Sequence, residues 1–412
     1  MKKVIFLILF ITVTSYPQWK TIQTNFNARL FSVQFFDTLQ GFVVGDNGLL
    51  LHSTDGGKSW NINNNFLNNY QDFYSVSIYN STSGWICGRG GLLMKTTDKG
   101  NTWEQKTSPG PYYFTHIVFL NDTVGWLCGE TNILFRTKFG DGYWTNEYIT
   151  RSSSPFGYLY TEDGNSGYVV GDSGRALKTT DHGYTWTALN TGVTSKLENV
   201  TFSTNNLGWI VGDKGAILKT SDGGKSWILN NSFPEYHFDW VTFTSDSVGW
   251  IVGTLGSILK TVNAGVSWEL LPSGTTVDLR MIYFKDPNHG YIVGDSGTVL
   301  LYDSTSIPPF DQKQNGLQYG NFEIYQNYPN PFNPNTLIRF VLPFNSNVKI
   351  EVFNSIGEKI KELVNEQKSA GSYDINFNSS GLASGVYIYK IEARSIDGRN
   401  EFRDSKKMVI LK

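Results

Sequence analysis

Near-copies of one stretch, GWIVGDKGAILKTSDGGKSW at residues 208 to 227, return along most of this chain at an almost constant interval. Its final tryptophan recurs at Trp19, Trp60, Trp103, Trp144, Trp186, Trp227 and Trp268, in steps of 41 to 43 residues. Its first glycine recurs at Gly41, Gly84, Gly125, Gly167, Gly208, Gly249 and Gly290 with the same spacing. A fixed period of this size demands a repeat architecture, because each unit can bury its apolar face only against its neighbours.

Each unit reads as four short strands. An inner strand of pattern L/F-x-x-V/I-x-F, as in Leu197-Val200-Phe202, starts eleven residues before the glycine in each copy. The G-W/F/Y-x-V strand follows, then a Gly-rich turn such as GDNG, a third strand ending in K-T, and a second turn leading to an outer strand. Apolar runs separated by Gly, Asp and Asn turns are what such a blade requires. The seventh copy lacks the second turn and its outer strand, whereas Gln18-Trp19 lies one period before Trp60. The N-terminal segment is therefore expected to supply the missing outer strand, joining first and last units. The fold class predicted is all-β: a seven-bladed β-propeller whose N-terminal strand completes the last blade.

The second turn has the form S/T-x-D-x-G-x-S/T-W. It is complete at Asp55 with Trp60, Asp98 with Trp103, Asp181 with Trp186 and Asp222 with Trp227; Asn263 replaces the acid in the sixth copy, and the third is degenerate. The carboxylate can accept backbone N–H groups, glycine supplies a positive φ, and tryptophan fills the gap between sheets. A catalytic or calcium-binding role fits poorly with a residue repeated around a ring. These units resemble the Asp-box (BNR) propellers of sialidases and sortilins and, most closely, the photosystem II assembly-factor family. That resemblance implies the propeller fold; the photosystem role does not transfer with it, since many secreted proteins resemble the same group.

The N-terminus, MKKVIFLILFITVTSYPQW, pairs Lys2 and Lys3 with an apolar run from Val4 to Val13 and small residues at Thr14 and Ser15. This reads as a secretory signal peptide, too short for a membrane span. No other apolar run is long enough to cross a membrane, so no transmembrane segment is expected in the mature chain. A formal net charge of -2 gives no reason to expect nucleic acid as a partner. The two cysteines, Cys87 and Cys128, occupy the place of valine in consecutive repeats and read as small buried hydrophobes rather than a bridge.

Residues 304 to 322 are polar, contain Pro308-Pro309 and read as a linker. Residues 323 to 412 change character, with Asn327-Tyr328-Pro329-Asn330-Pro331-Phe332, then Val352-Phe353-Asn354 and Gly357, then Gly381-Leu382-Ala383-Ser384-Gly385-Val386-Tyr387, then Lys406-Lys407. In that order these motifs resemble the type A C-terminal sorting domain of type IX secretion cargo. The resemblance implies an immunoglobulin-like β-sandwich recognised by the type IX secretion translocon, with Gly381, Gly385, Tyr387, Lys406 and Lys407 in the sorting signal. The organisation expected is thus residues 1–17 signal peptide, 18–303 propeller, 304–322 linker and 323–412 sorting domain. Export through the periplasm to the cell surface or medium follows.

On one face of a propeller, the loops leading into the inner strands lie beside the Gly-rich turns. The turn positions, Asp46, Arg89, Glu130, Asp172, Asp213, Thr254 and Asp295, are explained by aspartate as a good turn former. The positions at the channel mouth are not repetitive, and loops on a rigid scaffold carry binding residues. They read Phe31, Tyr74, Thr115, Gly157, Glu198, Asp239 and Arg280, with Arg29, Asp72, Tyr113, Pro155, Lys196, His237 and Asp278 two residues earlier. The candidate ligand face is Glu198, Asp239, Arg280, His237, Lys196, Tyr113 and Trp240, with further aromatics at Tyr70, Tyr112, Phe233 and Tyr236. No catalytic residue, cofactor or metal site is assigned, since the five histidines are scattered. The function expected is non-catalytic binding of an extracellular protein or polysaccharide. The alternative is a sialidase-like or other glycoside hydrolase or lyase at the channel mouth, with Glu198 and Asp239 as paired carboxylates. Against it stand the lack of an F/Y-R-I-P stretch and the sparse arginines.

Overall fold

The computed structural model describes residues 19–63, 71–130, 133–140, 143–146, 156–161, 165–303, 322–327 and 330–411. They form two compact units that divide between Asp303 and Ser304.

Among the described residues the first unit contains seven four-stranded antiparallel sheets. Their innermost strands are Leu30–Phe35, Phe73–Ile78, Phe114–Phe119, Phe156–Thr161, Leu197–Phe202, Phe238–Phe243 and Leu279–Asp286. Sheets one to seven are named here in that order. These strands touch in chain order and the seventh touches the first, so the sheets form a closed, propeller-like circuit. Side chains tie neighbouring inner strands together: Ser32 Oγ accepts the Val76 N–H, Ser75 Oγ that of Ile117 and Asn199 Oδ1 that of Val241. Strand Trp19–Ile22 pairs antiparallel with Val299–Asp303, Trp19 opposite Tyr302 and Ile22 opposite Val299. The seventh sheet is thus completed from the N-terminal end of the described chain.

The sequence motif is a set of mutual packing requirements. The phenylalanine ending an inner strand folds over the first glycine of the next strand, as Phe202 does over Gly208. In the Asp-box, Gly57 has φ +78° and lies on the Tyr291 ring of sheet seven, where a Cβ would overlap the ring. Gly100 meets Phe42 of sheet one in the same way, so each box is keyed to the preceding sheet. Cys87 and Cys128 are buried free thiols in these layers.

The box carboxylates are held by their own turn. Asp222 Oδ2 accepts from the Ser226 hydroxyl at 2.6 Å and Oδ1 from the Ser226 N–H at 3.0 Å, while the Thr220 hydroxyl donates to Oδ1 at 2.8 Å. Asp55, Asp98 and Asp181 repeat the pattern, and Asn263 keeps most of it. The serine or threonine hydroxyl and N–H lower the Asp222 and Asp181 pKa values. At Asp55 and Asp98 desolvation is the largest influence and pushes upward, but the summed hydrogen bonds leave both lowered. A carboxylate with a depressed folded pKa stabilises above its unfolded value, about 3.9, and loses that contribution as pH falls through the folded value. The melting temperature of the first unit is therefore expected to hold from pH 7 to pH 5 and fall below about pH 4. Melts across that range on Asp98→Asn/Asp222→Asn should show a shallower acid fall; an unchanged slope would remove the boxes from the explanation.

The second unit has a three-stranded sheet, Glu323–Ile324, Asn335–Leu342 and Gly371–Asn378, and a four-stranded sheet ordered Lys359–Lys368, Ser346–Asn354, Gly385–Ser395, Glu401–Ile410. One core joins them, with Ile338, Phe340 and Phe377 from one and Ile350, Val352, Tyr389 and Met408 from the other. Phe322, at the expected end of the linker, already packs on this core and stacks on Phe402 at 5.6 Å.

Candidate functional site

The non-repeating positions come together for a local reason. Among the described residues, in six sheets the first residue of the Gly-rich turn donates its N–H to the carbonyl just before the inner strand: Asp46 to Arg29, Arg89 to Asp72, Glu130 to Tyr113, Asp213 to Lys196, Thr254 to His237 and Asp295 to Asp278. The approach is so close that a Cβ at Gly212, beside Asp213, would overlap the Lys196 carbonyl. Turn side chains and strand-leading side chains are therefore neighbours in each sheet. Two of the acids also serve the turn of the preceding sheet: Asp72 accepts the Asn47 N–H at 2.9 Å and Asp278 that of Leu255 at 3.1 Å.

Sheets five, six and seven contribute one connected network. Arg280 donates to both oxygens of Asp295 at 2.9 Å, to Asp278 at 3.2 Å and to Asp239 Oδ1 at 3.3 Å. The bond to Asp295 leads in raising the Arg280 pKa, against desolvation, with Asp239 and Asp278 adding to the rise. Burial pushes Asp239 up to about 6, although His237 and Arg280 pull it down. The His237 imidazole bonds Asp213 through Nδ1, and its Nε2 lies 3.3 Å from Glu198 Oε1 and 3.7 Å from Asp239 Oδ2. Lys196 reaches Glu198 Oε1 at 2.8 Å. Glu198 and Asp239 are both 15% exposed, so these charges interact with little water between them. Sheets one and two carry a second, more open group: Arg29 pairs with Asp46 at 2.8 Å, Arg89 with Asp72 at 3.8 Å, and the Tyr74 hydroxyl donates to Asp72 at 3.2 Å.

Lys196, Glu198, His237, Asp239 and Arg280 thus share one network, while Tyr113 lies apart, beneath the Arg89 guanidinium at 5.2 Å. Trp240, expected on the ligand face, is instead part of an inner strand: it packs against two core clusters, its ring 6.2 Å from His116 of sheet three. A register shift between Phe238 and Trp240 leaves Asp239 as the extra residue of the strand, so Asp239 joins the charged network while Trp240 packs inward. His116, which the sequence reading passed over, is half-buried, and desolvation lowers its pKa to about 3. Its signal was its place in the strand, where other copies carry Ser32, Ser75, Asn199 and Met281. Tyr112 packs on Phe114, and Phe233 and Tyr236 on Phe238, as core aromatics. Tyr70 and Pro155 lie outside the described residues, as do residues 1–18. Asp213 was read as an ordinary turn former, and its bond to His237 gives it a second role.

In the second unit Gly381 has φ +89° and the Tyr387 hydroxyl donates to the Ala383 carbonyl, closing the loop between them. Asn330 Oδ1 accepts the Val409 N–H at 2.8 Å and Phe332 pairs with Ile410, which ties the Pro/Asn motif to the last strand. Lys406 pairs with Asp404 at 3.2 Å and Lys407 is exposed on the same strand. Tyr328 and Pro329 lie outside the described residues.

A circuit of small sheets with charged, non-repeating side chains at the strand ends defines the first unit as a propeller-like scaffold. The family model described as photosynthesis system II assembly factor YCF48 matches residues 11–110 and 185–278, and the secretion system C-terminal sorting domain matches residues 326–410. The first unit is a propeller related to the YCF48 assembly factors, and the second is a type IX sorting domain, which indicates export to the cell surface or extracellular space. The photosystem II assembly lipoprotein Ycf48 of Prochlorococcus marinus (strain MIT 9312) is 42% identical over 55 residues, which are 13% of this chain and 16% of that relative. The solved structure of YCF48 bound to D1 peptide is similar with a TM-score of 0.61 and 23% identity, over 70% of this chain and 98% of that one. The GH74 xyloglucanase of Xanthomonas campestris gives a TM-score of 0.58 at 10% identity, over 94% of this chain and 69% of that one. Both structural likenesses concern the fold. No helix among the described residues is long and apolar enough to cross a membrane.

Proposed function

We propose that this chain is a secreted or cell-surface binding protein: a seven-bladed propeller over residues 18–303, exported by a signal peptide (1–17) and an immunoglobulin-like sorting sandwich (323–412) beyond a linker (304–322). Its partner is an extracellular protein that presents basic side chains to the face formed by sheets five to seven. The observation that carries this reading is the network there. Glu198, Asp213, Asp239, Asp278 and Asp295 face two fixed cations, Lys196 and Arg280, so the mouth holds an excess of negative charge. Such a field steers and orients a cationic partner. A polysaccharide is less well served, because most aromatics that would form a sugar platform are spent in the core. The YCF48 neighbour that holds a peptide supports a polypeptide as the kind of ligand this scaffold takes.

The test is capture of medium proteins by the secreted chain, with a glycan array in parallel. Protein capture should weaken at least about tenfold between low and 0.5 M salt, as screening predicts, and weaken again in Glu198→Gln/Asp278→Asn. Sugar binding alone, or capture indifferent to salt and to both substitutions, would refute the reading. Glycoside hydrolysis is the second reading, favoured only by Asp239, whose pKa of about 6 suits a general acid beside Glu198. New saccharide ends in the array incubations would establish it.

A further inference from the structure

The Gly-rich turn of sheet six breaks a pattern that the other turns keep. Among the described residues, the middle residue of this turn has a left-handed backbone in six sheets. It is Asn47, Gly90, Ser173, Lys214 and Ser296 in five of them, but Leu255, at φ +57°, in sheet six. That geometry suits glycine and asparagine and disfavours a bulky apolar side chain. Leu255 is also 61% exposed, so core packing does not account for it either. Beside it runs an open groove of about 640 Å³, walled by Leu255, Leu270, Leu271, Pro272 and Tyr236 and by residues 273–276. The groove is preformed: the Tyr236 ring stacks on Phe238 at 6.1 Å, and the Ser273 hydroxyl holds its own turn by donating to the Thr275 carbonyl at 3.0 Å. Leu270 adds a second apolar wall that is 50% exposed.

This groove is continuous with the charged mouth. The Leu255 N–H donates to Asp278 Oδ1 at 3.1 Å, and Asp278 Oδ2 takes Arg280 at 3.2 Å, so one carboxylate belongs to both. Tyr236 immediately precedes His237, and Thr276 stands two residues before Asp278, a span of at most about 7 Å. We infer that the groove seats an apolar side chain of the polypeptide drawn to the acidic face, which is thus recognised by a large apolar residue standing close to a basic one. The inference rests on the binding function proposed above and adds what the acids lack. Charge complementarity steers and orients a partner, whereas an apolar anchor in a formed pocket supplies affinity. The volume falls within the range of ligand sites, roughly 300–1,000 Å³. An uncharged polymer or a second copy docking through its apolar residues would use the leucines without the acids beside them.

The experiment is selection of random peptides displayed on phage against the immobilised full chain, with Leu255→Asn and Glu198→Gln as parallel baits. The unsubstituted chain should enrich peptides that combine Lys or Arg with a nearby Leu, Ile, Phe or Met. A synthetic copy of the enriched peptide should bind Leu255→Asn at least about tenfold more weakly. Replacing the peptide's apolar residue by serine should cost the unsubstituted chain as much and the Leu255→Asn chain little. Asparagine tolerates the left-handed backbone, so Leu255→Asn should keep or raise the melting temperature, which separates a lost anchor from a lost fold. Glu198→Gln should weaken the peptide without removing the preference for its apolar residue. Basic peptides with no apolar preference, or equal binding by Leu255→Asn, would overturn the groove and leave the acidic face standing. Apolar peptides indifferent to Glu198→Gln would overturn the pairing of groove and acids and point to an uncharged occupant or a second copy. Absence of any enrichment would overturn the groove as well, while the acidic face is decided separately by capture of medium proteins.

Discussion

Trp19→Ala is expected to be among the most damaging single substitutions in the first unit, costing about 3–5 kcal/mol. Trp19 is 1% exposed, and its ring meets Trp250 edge-on at 5.6 Å, Tyr302 at 5.3 Å and Phe284 at 6.1 Å. Removing it opens a cavity where sheets six and seven join, in a protein whose whole stability is of order 5–15 kcal/mol. Chemical denaturation of the secreted chain, followed by tryptophan fluorescence, measures the loss. Trp60→Ala is the informative comparison. Trp60 is also buried, against Phe35, so its packing loss should be similar. Trp19, however, belongs to the short strand that covers Val299–Asp303, and weakening it frees a sheet edge. The Trp19 variant should therefore associate with rising concentration while the Trp60 variant stays monomeric. Equal association of the two would show that the closing strand has no special role.

That closure was legible because it is a counting problem. Trp19 stands one period before Trp60 with no glycine strand of its own, while Val299–Asp303 is not followed by the turn and outer strand of the other copies and pairs with Trp19–Ile22 instead. Glu198, Asp239 and Arg280 were legible as a set because they break a pattern that packing otherwise enforces. What the sequence hid is pairing across different offsets. Asp213 reaches His237, 24 residues away on the next sheet, because its own N–H is fixed to the Lys196 carbonyl at the end of sheet five. In the sequence Asp213 looks like Asp46, Asp172 and Asp295, each the first residue of a Gly-rich turn. Scattered histidines likewise conceal that His237 sits among acids from two sheets. Trp240 was misplaced for a different reason: as one of several aromatics near a strand start it resembles a loop residue, and only the register, with a shift between Phe238 and Trp240, shows that it turns inward.

Deleting residues 323–412 is expected to abolish export while leaving the first unit folded. The two units have separate cores: none of the buried residues of the second unit's cluster comes from the sheets of the first. Unit one should therefore keep its melting transition and accumulate in the periplasm, which fractionation and immunoblotting would read. Normal appearance of the truncated chain in the medium would refute a sorting role. A milder lesion locates the signal within the unit. Lys407 is exposed on the last strand and contributes no core packing, so Lys407→Glu should leave this unit stable. Phe332→Ala removes a buried ring that packs on Phe377, which should cost about 3–5 kcal/mol and unfold this small unit in part. If sorting is read from the strand surface, both variants lose export but only Phe332→Ala loses its melting transition. If sorting needs only a folded C-terminal domain, Lys407→Glu is exported normally. The comparison separates recognition of side chains from recognition of the fold.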